Sequence, residues 1–418
     1  MDKFIIHGGV PLQGHVNISG AKNAALPIIA ASVLTEQPMK INNVPRLRDI
    51  YTISKILQHM GATCELDEAT NCFHVHRNGM NRLEAPYELV KTMRASILFL
   101  GPMVARYHEA RVSLPGGCAI GARPVNLHLD ALRKMGVELD IVDGYIIARC
   151  EELRGAAISF DTVTVTGTEN IMMAATLAKG KTVLKNAAKE PEVVDLARCL
   201  TSMGAHIEGA GTDTITIHGV EELRGTEYSV MPDRIEAGTF MAAAAITAGH
   251  VTLPIEVAQY LESVIIKLRD CDIRIECDDE LIHIYGNGIT CRDMATSPYP
   301  GFPTDMQAQY MALMCRGTGV SVIEETIFEN RFMHVAELRR MGCDIEVQGS
   351  RAIVKGKPRL KGAPVMATDL RASASLVIAA LAASGASEIS RIYHLDRGYD
   401  HIEEKLSRLG AKIERVRE

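Results

Sequence analysis

Two hydrophobic signatures alternate along the chain. One is an amphipathic helical stripe that ends in a turn and runs into a short strand of period two. It recurs over Ser54–Glu65, Leu129–Ile141, Asp195–Glu208, Leu261–Glu276, Val335–Val347 and Ile402–Val416. Each predicted helix stops at a matching position: Gly61, Gly136, Gly204, Asp272, Gly342 and Gly410, at intervals of 75, 68, 68, 70 and 68 residues. The left-handed backbone that closes a helix penalises a Cβ, so glycine is expected there. Aspartate tolerates that conformation better than most side chains, which accommodates Asp272.

The second signature is an alanine-rich run, apolar nearly all round, that leads to a short strand. Its copies start near Asn23, Met93, Glu169, Glu236, Asp305 and Leu370. A helix with no polar face belongs inside the protein, whereas the glycine-ended helices keep one face in water. A unit of about 70 residues holds too little core to stand alone, so the units are expected to pack around shared buried helices. The pattern predicts an α/β fold of six such repeats, divided into two domains of three. Linkers are expected near residues 16–22 and 227–234, giving one domain over 22–229 and a second over 1–21 plus 230–418. In this arrangement the first strand pairs with the C-terminal domain, and a ligand cleft lies between the domains.

Composition narrows the class of protein. The chain has 418 residues, 47% hydrophobic and 23% charged, a net charge of -6 and no tryptophan. That is ordinary for a globular protein with aliphatic cores. The acidic balance and the scarcity of aromatics argue against a nucleic-acid partner, and no run of 18 apolar residues offers a membrane span. Ten cysteines form neither a Cys-x-x-Cys pair nor a zinc spacing, and no basic-then-apolar leader opens the sequence. Reduced thiols in the cytoplasm are expected.

Several motif fragments fail on inspection. Gly180-Lys181-Thr182 mimics the end of a phosphate-binding loop, but Ala175 stands where that loop needs glycine, and the order here is helix then strand. Gly209-Ala210-Gly211 lacks the third glycine of a dinucleotide fingerprint, because residue 214 is Thr214. His74 and His76 share one face of a predicted strand with no third metal ligand nearby, which reads as a solvated face. His334 and His394 sit near arginines and stay ambiguous.

Two features carry chemistry. Pro115-Gly-Gly-Cys-Ala-Ile-Gly-Ala-Arg-Pro124 places Cys118 among glycines, with Arg123 five residues on. A neighbouring cation favours the thiolate and makes the thiol a better acid or nucleophile. The second feature is a set of charged residues at the starts of buried helices: Lys22 with Asn23, Arg94, Asp305, and Asp369 with Arg371. A cation opposes the dipole at a helix N-terminus, so repeated cations there point to an anionic ligand. The aspartates alone would serve equally well as helix caps.

Taken together, five blocks resemble the enolpyruvyl transferases, and among them the group acting on UDP-N-acetylglucosamine. They are Ser19-Gly-Ala-Lys-Asn-Ala-Ala-Leu-Pro27, Leu114-Pro-Gly-Gly-Cys-Ala-Ile-Gly-Ala-Arg-Pro124, Phe302-Pro-Thr-Asp-Met-Gln-Ala-Gln309, Ala367-Thr-Asp-Leu-Arg-Ala-Ser373 and Arg391-Ile-Tyr-His-Leu-Asp-Arg-Gly398. The resemblance spans the whole chain. It implies the inside-out α/β barrel, with three βαβαββ units around buried helices in each domain. It implies a reaction in which the sugar 3-hydroxyl attacks C2 of phosphoenolpyruvate and phosphate then leaves, without metal or redox cofactor, in cytoplasmic cell-wall synthesis.

Position by position, the resemblance implies that Lys22, Arg123 and Arg397 hold the phosphate of phosphoenolpyruvate. Arg331 and Arg371 meet its carboxylate, and Asn23 shares that pocket. Contacts to UDP-N-acetylglucosamine fall to Arg94, to Arg123, Pro124, Val125, Asn126 and Leu127, to Thr162, Val163, Thr164 and Val165, and to Asp305 and Ile327. Cys118 becomes the general acid on a lid loop and the target of the epoxide fosfomycin. Asp305 takes the sugar hydroxyl's proton, Lys22 and Arg397 complete the catalytic set, and Asp369 supports it. Some members of the group carry lysine at Thr162 and aspartate at Asn126. The nearest rival, 5-enolpyruvylshikimate-3-phosphate synthase, shares fold and phosphoenolpyruvate but lacks a Pro-Gly-Gly-Cys lid. A non-catalytic sixfold scaffold would leave Cys118 and the charged helix starts unexplained.

Overall fold

A computed structural model describes residues 2–76, 80–91, 93–114 and 125–417. Cys118, Arg123 and Pro124 lie outside the described residues. The chain forms two compact units that part between residues 19 and 20 and between residues 232 and 233.

In the unit formed by residues 20–232, three buried helical elements lie against three four-stranded sheets. They are the helix Lys22–Ala31, the 3₁₀ turn Arg94–Phe99 continuing as the helix Leu100–Tyr107, and the helix Val165–Ala175. Their apolar side chains leave no face for water, and Ala24 to Ala31 are buried without interruption. The second element starts as a 3₁₀ turn rather than the regular helix expected. Pro102 has no N–H to complete an i→i−4 bond, which favours the tighter winding upstream.

Each sheet follows one plan, seen in Ala157–Ser159, Lys181–Lys185, Thr214–His218 and His206–Glu208. The first two strands run parallel, and the next two join antiparallel. The strand after the buried helix therefore sits at the middle of the sheet. The strand after the amphipathic helix sits at its edge. In the same unit Glu227–Ser229 returns to lie parallel to Met39–Asn42, tying the end of the segment to its beginning.

The unit formed by residues 2–19 and 233–417 repeats the plan. Its buried helices are Arg234–Ile246, in which every residue is buried, Gln307–Met314, which follows the 3₁₀ turn Thr304–Met306, and Leu370–Ala382. The first strand, Asp2–His7, fills the third place of a sheet between Ala386–Ser390 and Lys412–Arg417. Gln13–His15 runs parallel to His250–Pro254 in another.

The helix stops take the backbone the spacing predicts. Gly61, Gly136, Gly204, Gly342 and Gly410 have φ between 91° and 106°, and Asp272 has φ 63°. The amphipathic helices that precede them bury a single stripe, as in Arg48–His59, where Asp49, Ile50, Ile53, Ile56 and Leu57 are buried. Among the described residues no helix is long and apolar enough to cross a membrane.

Candidate functional site

The charged helix starts acquire partners that the sequence did not reveal. Lys22 is the first residue of its buried helix, and its Nζ lies 3.3 Å from Oδ2 of Asp49, with the two side chains 12% and 5% exposed. Asp49 comes from the first turn of the amphipathic helix Arg48–His59. Asn23 follows Lys22, and Pro27, lacking an N–H, cannot close the usual helical bond to the Asn23 carbonyl.

In the other unit Asp305 holds two arginines. Its Oδ1 accepts from Nη2 of Arg331 at 2.7 Å, and its Oδ2 accepts from Nε and Nη2 of Arg371 at 3.2 and 3.0 Å. The Arg331 and Arg371 side chains are 5% and 4% exposed, while the Asp305 side chain keeps 28%. Burial alone would raise the Asp305 carboxyl, but the Arg371 and then Arg331 guanidiniums hold it well below the usual carboxylate range. Burial works against the charge on Arg371, and Asp305 more than restores it. Nη1 of Arg371 is buried with no partner among the described residues.

Carboxylates lie against three of these cations, Asp49 against Lys22 and Asp305 against both Arg331 and Arg371, so the trio around the single Asp305 carboxylate keeps a net positive charge. The two aspartates flagged as possible caps also divide. Asp369 caps the helix Leu370–Ala382 by accepting the N–H groups of Arg371 and Ala372 at 3.0 Å each. Asp305 accepts instead from the arginines, and the turn Thr304–Met306 that holds it has no side-chain cap.

The remaining residues have definite places. Arg397 ends the 3₁₀ turn Ile392–Arg397, which packs on the helix Leu370–Ala382 bearing Arg371. Ile327 donates its N–H to Oε1 of Glu325 at 2.9 Å. Arg94 opens the turn Arg94–Phe99, and Val125 precedes the helix Asn126–Lys134, which contains Asn126 and Leu127. Thr162 and Val163 precede Thr164, whose hydroxyl caps the helix starting at Val165 by accepting the Gly167 N–H at 3.2 Å.

Two residues beyond the predicted set shape this site. Glu325, 3% exposed, accepts from Thr304 Oγ1 at 2.8 Å and from the Ile327 N–H. Thr304 in turn accepts from Nη1 of Arg331 at 3.0 Å, so Glu325 braces both the Ile327 loop and Arg331. Nothing in its run, Ile323-Glu-Glu-Thr-Ile327, marks it. His334 was visible only as a histidine near arginines. Burial pushes its ring down to about 4 against the pull of Asp369, with Arg331 adding to the fall, and its Nε2 is buried without a partner among the described residues. His74 and His76 line a shallow cavity of about 440 Å³ with Lys40, Glu65 and Glu227, and none of the predicted site residues borders it. Among the described residues no group of His, Cys, Asp or Glu is placed to hold a metal.

With this geometry in place, comparison with known proteins decides the lineage. Residues 6–406 match the family of EPSP synthase (3-phosphoshikimate 1-carboxyvinyltransferase). The chain belongs to the EPSP synthase family. Within it, a protein of Nitratidesulfovibrio vulgaris is 58% identical over 420 residues, covering all of both chains, and one of Geotalea uraniireducens is 56% identical over 419. Both are named UDP-N-acetylglucosamine 1-carboxyvinyltransferase. The enolpyruvyl transferase NikO of Streptomyces tendae superposes with a TM-score of 0.89 at 26% identity over 99% of each chain. EPSP synthase of Acinetobacter baumannii shares the fold, with a TM-score of 0.75 at 20% identity and full coverage of both chains. Asp305, Arg331 and Arg371 are thus a buried charge cluster in an enolpyruvyl transferase fold.

Proposed function

We propose that this EPSP synthase family member transfers the enolpyruvyl group of phosphoenolpyruvate to the 3-hydroxyl of UDP-N-acetylglucosamine, releasing phosphate as the first committed step of peptidoglycan synthesis. The observation that carries this reading is the end-to-end identity of 55–58% with relatives named for that reaction. On this reading the chain folds as six βαβαββ units, three in each of the domains 22–229 and 1–21 plus 230–418.

The cluster supports a specific division of labour. Arginine's planar fork suits a carboxylate, and the buried Nη1 of Arg371, without a hydrogen-bond partner among the described residues, offers a donor beyond those used by Asp305. The carboxylate of phosphoenolpyruvate takes Arg331 and Arg371, while Lys22, Asn23, Arg123 and Arg397 take its phosphate side. As the substrate draws the guanidiniums toward itself, the grip that keeps Asp305 weakly basic relaxes, and Asp305 can accept the sugar's proton. Base strength then rises only when the second substrate is present.

In the addition step the sugar oxygen bonds to C2 and Asp305 takes its proton. Cys118 delivers a proton to C3. In the elimination step the Cys118 thiolate takes a proton back from C3, the double bond re-forms, and the C2–O bond to phosphate breaks, the phosphate carrying off the proton that Asp305 took. The UDP-sugar rests on Arg94, Arg123 to Leu127, Thr162 to Val165 and Ile327, with Asp369 supporting the cluster.

Incubation with both substrates and measurement of released phosphate tests the reading, which predicts phosphate only when the sugar nucleotide is present. The second reading within the family is transfer to shikimate 3-phosphate. Cys118 and the names of the full-length relatives favour the sugar nucleotide, and phosphate released with shikimate 3-phosphate instead would reverse the choice.

A further inference from the structure

We propose that Asn170 is a positioning residue for the sugar-nucleotide half of the site. Through His128, its buried amide joins the three segments that carry Arg94, Val125 to Leu127, and Thr162 to Val165. The proposal rests on the functional reading above, which gives those segments to UDP-N-acetylglucosamine.

Asn170 lies in the buried helix Val165–Ala175 and has no exposed surface. Asparagine is a poor helix former with polar atoms that demand partners, so its place in an apolar helix needs a reason. Its Oδ1 accepts the Gly101 N–H at 2.7 Å, and its Nδ2 donates to the Ile97 carbonyl at 3.1 Å and to Nδ1 of His128 at 2.9 Å. Ile97 belongs to the turn Arg94–Phe99, and Gly101 lies in the helix that continues it. A Cβ at residue 101 would come within 2.4 Å of Oδ1 of Asn170, so only glycine permits this approach.

The bonds also fix where protons sit. A peptide N–H only donates and a carbonyl only accepts, so the amide of Asn170 has one orientation and presents N–H to His128. Nδ1 of His128 must therefore accept, which leaves the ring proton on Nε2. That nitrogen lies 3.3 Å from Oγ1 of Thr166, which accepts it. Burial first, and the Arg94 charge second, push the ring down to about 4, so His128 stays neutral as the geometry requires. His128 stands one residue after Leu127, and Thr166 one residue after Val165. A single chain of hydrogen bonds thus runs from the Arg94 turn through Asn170 and His128 to the residue beside the Thr162–Val165 segment. All of these groups belong to the compact unit of residues 20–232, and the Asp305 cluster belongs to the other.

The test is steady-state phosphate release by the full chain carrying Asn170→Ser or Thr166→Val, with each substrate varied in turn. The KM for UDP-N-acetylglucosamine should rise about tenfold in Asn170→Ser and about fivefold in Thr166→Val, roughly the worth of one buried hydrogen bond. The KM for phosphoenolpyruvate should stay within about twofold and kcat within about threefold. Nitrogen-15 histidine spectra should show His128 as a single neutral Nε2–H tautomer in the parent and as a mixture in Asn170→Ser. Thr166 is only partly buried, so if Asn170→Ser does not fold, Thr166→Val decides. An active parent whose folded variants keep the sugar-nucleotide KM within twofold, or raise both KM values alike, overturns this proposal alone. A parent that releases no sugar-dependent phosphate overturns the functional reading, and this proposal falls with it.

Discussion

Arg371 meets Asp305 through two nitrogens on one carboxylate oxygen, Nε at 3.2 Å and Nη2 at 3.0 Å, and its third nitrogen is buried with no hydrogen-bond partner within 3.5 Å among the described residues, the guanidinium lying over the Tyr399 ring. A guanidinium fully satisfied inside the protein would have no capacity to receive a substrate. One held by a single oxygen of a carboxylate it shares with Arg331 has its charge partly offset while retaining a donor for use. The same contact holds the carboxylate in its ionised form, so Asp305 and Arg371 keep each other ready.

Asp305→Asn should lower turnover by about 10²–10⁴, the usual contribution of a general base. Phosphate release under saturating substrates measures it. Turnover within tenfold of the parent would remove Asp305 from the role of proton acceptor. The carboxyl is depressed in the folded state, so its stabilising contribution is complete above the unfolded value near 4 and is lost as pH falls through the lower folded value. The stability gap between parent and Asp305→Asn should accordingly stay constant from pH 7 to about pH 5 and narrow below pH 4.

Lys22→Ala should damage two things at once. It strips a counter-charge from buried Asp49, at a cost of about 3 kcal/mol in unfolding free energy. It also weakens use of phosphoenolpyruvate by about one to two decades, the worth of one charge-assisted contact. The double variant Lys22→Ala/Asp49→Ala should recover most of the stability and none of the substrate affinity. Recovery of both would make Lys22 a structural residue only.

His334→Phe should flatten the acid side of the stability profile. The folded ring titrates near 4, against about 6.5 in the unfolded chain, so the native state loses stability as pH falls between those values. The loss integrates to about 3 kcal/mol for a group this deeply buried. Urea unfolding at pH 7.5 and pH 4.5 should show it in the parent, and the variant should be spared that much. An equal loss in both proteins would rule out a depressed His334.

At Cys118 the expected order of activity is Cys, then Asp, then Ser. A carboxylic acid reaches a similar place and can give up a proton, whereas a serine hydroxyl is a far weaker acid. Turnover assays on Cys118→Asp and Cys118→Ser check this. An active serine variant would contradict proton donation from this position.

The sequence alone determined the repeated elements of this protein. Helix stops at Gly61, Gly136, Gly204, Asp272, Gly342 and Gly410, and the apolar helices between them, are local statements about backbone preference and periodicity. Each was legible from a few neighbouring residues. So were the charged helix starts and the family, because motifs such as Ser19 to Pro27 are contiguous. Only the tertiary structure decided what those charges do. Lys22 and Asp49 are 27 residues apart, and Asp305 and Arg371 are 66 apart; no local rule pairs them. Asp369 and Asp305 look alike in sequence, both beside the start of a buried helix. One turns back to cap its own backbone, and the other is drawn to arginines from distant segments. A side chain's partner is fixed by which segments packing brings within about 3 Å, and so by the whole fold rather than by the neighbouring residues.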